Sequence, residues 1–143
     1  MKSLKELYRI ADQQNIVVDL FPLGKREALS LMELSGDCYI AIDPGKLKSQ
    51  ADERNKLAHE LGHCCTGAFY NQYSRYDCRK RQENRADRWA IQQLIPADEL
   101  DDAIALGCTE IWELAEYFQV SEDFIRKVVC YHVHGNLATE LYF

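Results

Sequence analysis

His59-Glu60-Leu61-Gly62-His63 sets two imidazoles four residues apart, with a carboxylate beside the first. On an α-helix, positions i and i+4 project side by side, so both rings can share one metal ion while the glutamate of this HExxH arrangement flanks an open coordination position. That combination serves metal-assisted hydrolysis, with zinc as the expected ion and Glu60 as the expected catalytic base. The helical phase agrees. Leu57, Leu61, Cys64 and Ala68 fall on one apolar stripe, and His59 and His63 lie roughly opposite it, as they would on a helix flooring a cleft.

A catalytic zinc needs a third protein ligand. The extended HExxHxxGxxH pattern does not supply one, because Thr66 stands at its glycine and Phe69 at its third histidine. In Glu83-Asn84-Arg85-Ala86-Asp87-Arg88-Trp89-Ala90 the acids Glu83 and Asp87 are four apart and share a helical face with Ala90 and Leu94, with Arg85, Arg88 and Gln92 opposite. Carboxylates turned inward need compensation, and a zinc ion held by His59, His63 and Glu83 provides it for Glu83. Asp87, one turn along, is expected behind an imidazole, accepting the free N–H of His59. A fourth position stays open for water, whose pKa the metal lowers towards about 7, and Glu60 can pass its proton to the departing amine. The same ligands also accept Mn²⁺ or Fe²⁺. Tyr70, Tyr73, Tyr76, His132 and His134 are all available as oxyanion donors, and the sequence does not choose among them. Cys130, His132 and His134 could form a second metal site; a solvated turn or alternate strand positions is the favoured reading.

The elements that must position these residues are legible as periodicity. Leu4, Leu7, Tyr8 and Ala11 predict a first helix over residues 2 to 14. Ile16 to Leu20, Ala28 to Leu34 and Cys38 to Ile42 predict a small antiparallel sheet, broken at Pro22-Leu23-Gly24 and Ser35-Gly36-Asp37. Asp43-Pro44-Gly45 closes the last strand, and Ser49 with Asp52 offers a capping-box start to the helix carrying HExxH. After a polar, tyrosine-rich connection a helix is expected over residues 82 to 95, stopped by Pro96, and another over 97 to 106 ending at Gly107. Ile111, Leu114, Ala115 and Phe118, then a Val-Ser break before Phe124, Ile125 and Val128, form a helix-turn-helix pattern.

Composition limits the alternatives. The 143 residues, 47% apolar and 28% charged, suit one α+β domain, with residues 1–106 carrying the sheet and zinc-binding helices and 107–143 a helical subdomain. A net charge of −6 disfavours nucleic-acid binding, which needs a cationic face. No apolar run approaches a membrane span and the first residues do not read as a signal sequence, so a cytoplasmic protein is expected. The six cysteines, Cys38, Cys64, Cys65, Cys78, Cys108 and Cys130, form no CxxC pair and are read as reduced thiols.

LAHELGH at 57 to 63, followed some twenty residues later by ENRADRWAIQQLIP at 83 to 96, resembles the ImmA/IrrE metallopeptidases. The likeness extends to the upstream sheet and the downstream LAEYFQVS segment. It implies a compact thermolysin-like zincin fold, with His59, His63 and Glu83 as ligands, Glu60 as base and Asp87 behind a histidine. Many members carry an acid where this chain has Arg85, and Phe where it has Trp89. The resemblance also implies a substrate, a helix-turn-helix repressor of a mobile element, prophage or stress regulon. Such a segment is expected to bind as an added strand, with the strand ending at Ile42 as the candidate edge.

Two other classes stand beside this reading. A DNA-binding regulator would use residues 109 to 130, but Glu110, Glu113, Glu116, Glu122 and Asp123 outnumber Arg126 and Lys127 there. A metal-binding module that grips a repressor without cutting it would need the three ligands but not Glu60.

Overall fold

The computed structural model describes residues 1–143 and contains six α-helices and one three-stranded sheet, an α+β architecture. The chain divides into two compact units, one of residues Lys2–Ala90 and one of Ile91–Phe143 with Met1.

The first unit opens with α1 (Leu4–Gln13), whose Ser3 hydroxyl accepts from the Glu6 amide while the Glu6 carboxylate accepts from Ser3, a complete capping box. Leu7 and Ala11 are its buried stripe. Strands β1 (Val17–Leu20), β2 (Ala28–Met32) and β3 (Cys38–Ile42) follow.

The sheet is mixed and not antiparallel as expected: its order is β1-β3-β2, with β1 parallel and β2 antiparallel to β3. β2 and β3 are joined by a short turn and pair as a hairpin. β1 instead lies on the far side of β3, because residues 21–27 cross the end of that strand, where the Phe21 amide donates to Ile42 and the Asp43 amide to Glu27. Alternation within a strand carries no information on which neighbour it takes. The same order corrects the edge assignment. The strand ending at Ile42 is central, with Cys38, Ile40, Ala41 and Ile42 all buried, and the free edges belong to β1 and β2.

Asp43 ends β3 by accepting from the Leu23 and Gly45 amides at 3.1 and 2.9 Å. Helix α2 (Gln50–Thr66) then starts on Ser49, whose hydroxyl accepts from Asp52; the Asp52 carboxylate reaches back to Lys48, one residue before the position a capping box requires. It stops at Gly67, whose φ of 67° lies in the left-handed region glycine tolerates best. α2 packs against α1, β2 and β3.

Helix α3 (Tyr76–Leu94) begins six residues before the expected start at 82. Arg79, Lys80 and Arg81 are exposed and show no apolar period, although they are good helix formers. The pattern became readable only where the buried face begins.

In the second unit, α4 (Ala97–Ala105), α5 (Ile111–Phe118) and α6 (Glu122–His134) follow the end of α3. α5 and α6 pack on each other across a short turn in which Gln119 is left-handed and Ser121 caps α6. The segment read as a turn or strand around Cys130, His132 and His134 is the last part of α6. No helix is long and apolar enough to cross a membrane.

Candidate metal centre

Helices α2 and α3 meet at Gly62. A Cβ there would lie 2.5 Å from the Ala86 carbonyl oxygen and 3.0 Å from its carbon, so only glycine permits the two backbones to come this close. That approach brings the acids of α3 against the imidazoles of α2. Arg85 secures it by donating to the Thr66 carbonyl at the end of α2 at 2.6 Å, which gives this departure from the expected acid a structural role.

His59 Nε2 lies 2.9 Å from one oxygen of Glu83, His63 Nε2 lies 3.4 Å from the other, and the two Nε2 atoms are 3.3 Å apart. Glu60 also has an oxygen within 4.8 Å of both rings. Behind the rings, His59 Nδ1 is 3.0 Å from Asp87 Oδ1, and His63 Nδ1 faces the Ala68 carbonyl that the turn at Gly67 presents. A carboxylate and a carbonyl can only accept, so each Nδ1 carries a hydrogen, and each Nε2 is the atom left to offer a lone pair once a metal ion displaces the proton it shares with Glu83. Two Nε2 atoms and a carboxylate converging at these distances form a cation-seeking donor set.

The electrostatics follow from that convergence. Burial opposes a charge on His59, but the hydrogen bonds it donates to Asp87 and Glu83, together with the charges of Asp87 and Glu60, overcome it and push its pKa up to about 10. Burial likewise opposes charge on His63, and Glu83 with the Ala68 carbonyl raises it. Glu83 is partly desolvated, yet bonds from His59, His63 and Tyr70 hold it well below the usual carboxylate range. Glu60 goes the other way: burial raises it, against the lowering influence of the two histidines. The two carboxylates are therefore differentiated, one firmly anionic and one able to carry a proton.

Glu60 is buried, and its Oε2 has no hydrogen-bond partner. An orphaned buried carboxylate oxygen costs stability unless something beyond the protein uses it. Its presence beside three converging donors fits a metal with a water or substrate group at this place. Ser30 of β2 lines the same cleft close to Glu60, and its hydroxyl works against the effect of burial on that carboxyl, a neighbour that nothing in the sequence signals.

Glu60, His63 and Glu83 open onto a cleft of about 780 Å³, walled by β2 on one side and residues 68–73 on the other. Among the five possible oxyanion donors, Tyr70 lies in this unit with its hydroxyl 2.6 Å from Glu83 Oε1, an interaction that pushes its pKa up to about 12. Tyr73 also lines the cleft but is 84% exposed, and Tyr76 is 78% exposed. In the second unit His132 donates to the Ile95 carbonyl at 2.8 Å and the His134 ring stacks on Tyr142, so their ring contacts are already made there. Arg26 and Arg79, which the sequence did not mark as functional, also line the cleft.

Comparison with curated proteins gives no match. Residues 11–129, which include both helices of the centre, match the family model for Peptidase_M78, the IrrE N-terminal-like domain. The chain belongs to this peptidase family, as the paired motifs on α2 and α3 led us to expect.

Proposed function

We propose that the protein is a metal-dependent endopeptidase in which His59, His63 and Glu83 hold a zinc ion, Asp87 orients His59 and Glu60 is the catalytic base. The observation that carries this reading is the facing pair of Nε2 atoms, 3.3 Å apart with both Nδ1 atoms engaged, against Glu83. Glu83, held anionic, suits the ligand role, and Glu60, with its unpartnered oxygen and raised pKa, suits proton transfer. A divalent ion there supplies Lewis acidity, polarising a water and a peptide carbonyl.

The chain's own groups supply the rest. Glu60 Oε2 takes a proton from the attacking water and returns it to the amine that leaves. Ser30 of β2 stands beside the Glu60 carboxyl on the cleft wall. The Tyr70 hydroxyl lies on the cleft side of Glu83, and its one O–H, given to Glu83 here, would be freed for the developing oxyanion once a metal ion engages that carboxylate. The phenol stays protonated through the neutral range and so remains a donor.

A peptide entering the cleft can add to the open edge of β2, whose residues Ala28–Leu31 form one wall. The proposed substrate is a linker or exposed segment of a helix-turn-helix repressor, which would place the reaction in the cytoplasm.

The test is metal content by mass spectrometry on wild type and Glu83→Ala, together with cleavage of candidate helix-turn-helix repressors from the same genome by wild type and Glu60→Gln. We expect about one zinc per chain, reduced by Glu83→Ala. Glu60→Gln should keep its metal and lose roughly 10²–10⁴-fold in turnover. A chain that binds no metal after reconstitution would refute the peptidase reading. Glu60→Gln with undiminished biological activity would mean that the protein acts by binding.

A further inference from the structure

The chain carries a net charge of −6, but its charges are unevenly distributed. Arg75, Arg79, Lys80, Arg81, Arg85 and Arg88 lie within fourteen residues, against only Asp77, Glu83 and Asp87. Two of those three acids face the metal centre. The exposed surface at the start of α3 is therefore cationic in an acidic protein.

This surface runs into the cleft. Arg79 lines it from α3, with Nε on the Ser74 carbonyl at 2.8 Å and an Nη on the Gln72 carbonyl at 2.9 Å. Those bonds fix the guanidinium without neutralising it and leave other N–H groups free to donate. Arg26 lines the cleft from the chain entering β2 and makes no side-chain bond or ion pair. No carboxylate lies within ion-pair distance of either guanidinium. Both are near enough to Tyr70 for their charge to act on its phenol. Towards the start of α2 the charges are instead paired internally, Lys56 with Asp52 and with Glu27.

We propose that the cleft selects a peptide bearing acidic residues on one side of the scissile bond, whose carboxylates are received by Arg26 and Arg79. The inference rests on the peptidase reading of the same cleft. Arg79 is pre-oriented for a bidentate carboxylate, so little side-chain entropy is lost on binding. The cationic face of α3 steers the acidic segment towards the cleft over about one Debye length. A peptide is favoured over a polynucleotide because the cations surround a cleft bordered by an open strand edge, and the rest of the molecule repels a long polyanion.

Two experiments on the zinc-loaded full chain test this. In the first, fluorescein-labelled peptides that differ only in an Asp/Glu, Asn/Gln or Lys cluster bind Glu60→Gln protein at low and high salt, with oligothymidine as competitor. The acidic peptide should bind at least about tenfold tighter than the lysine one, with the ratio shrinking at high salt. Arg26→Glu should narrow the ratio severalfold, and Arg26→Lys should largely restore it. In the second, a proteome-derived peptide library is digested with wild-type enzyme, and acidic residues should be enriched on one side of the cut.

Cleavage without acidic enrichment overturns the inference and leaves the peptidase intact. No cleavage of any peptide removes the peptidase reading, and the binding ratio still decides the charge preference. An unchanged ratio in Arg26→Glu, or stronger competition by oligothymidine than by the acidic peptide, overturns the proposal.

Discussion

Replacing Gly62 by alanine adds one methyl group at the contact between α2 and α3. It would start 2.5 Å from the Ala86 carbonyl oxygen, and ordinary van der Waals contact begins at 3.4 Å, so relief needs about 0.9 Å of separation. Ala86 lies within one turn of both Glu83 and Asp87, so the shift is transmitted to them. Moved as a rigid body, it would stretch the 2.9 Å His59–Glu83 distance to about 3.8 Å, several times the ~0.2 Å tolerance of a metal–ligand bond. Overpacking costs about 1–3 kcal/mol, and alanine recovers about 1 kcal/mol of helix propensity. The net loss of about 0–2 kcal/mol lowers Tm by up to roughly 8 °C. Zinc affinity, measured by competition with a chromophoric chelator, should fall at least about tenfold. Cys65→Ala, at an exposed position of the same helix, serves as the control. Gly62→Ala protein that binds zinc within about twofold of wild type would refute the argument that this close approach sets the centre.

Asp87→Asn keeps the shape of the side chain but removes the carboxylate behind His59, and should lower zinc affinity by roughly 10–100-fold in the same titration. An unchanged affinity would mean that His59 is oriented without it. The pH dependence of the metal-stripped protein has a definite sign. His59 has a raised folded pKa, so its contribution to stability is complete below its ordinary value of 6.5 and is lost as pH rises towards about 10. Glu83 has a lowered folded pKa, so its contribution is present above the usual carboxylate range and is lost on acidification. The coupled pair therefore stabilises most between pH 4.5 and 6.5, and Tm of the stripped protein should decline from neutral pH towards pH 10. A Glu83→Gln variant should flatten that decline, and an equal slope in both proteins would count against the pairing.

The local periods of this chain were enough to mark α1, the three strands, α2 and the helices after Pro96, because apolar spacing and capping residues act within a few positions. They also singled out His59, Glu60 and His63 as one turn of helix, and Glu83 and Asp87 as neighbours on another. Pairing is a different kind of information. That β1 runs parallel to β3, and that β3 is central while β2 offers the open edge, depends on where residues 21–27 cross, which no alternation within a strand records. The start of α3 at Tyr76 was hidden because its first turns are charged and exposed, so no apolar period announces them. Within the centre, the sequence supplied the residue types, but their distances depend on the contact of Gly62 with Ala86. The nearness of Ser30 to Glu60, the bond from Tyr70 to Glu83 and the placing of Arg26 and Arg79 on the cleft join residues from different elements. Residue identity and short spacing are written along the chain; convergence of side chains from separate elements exists only once burial of their apolar faces has fixed how those elements pack.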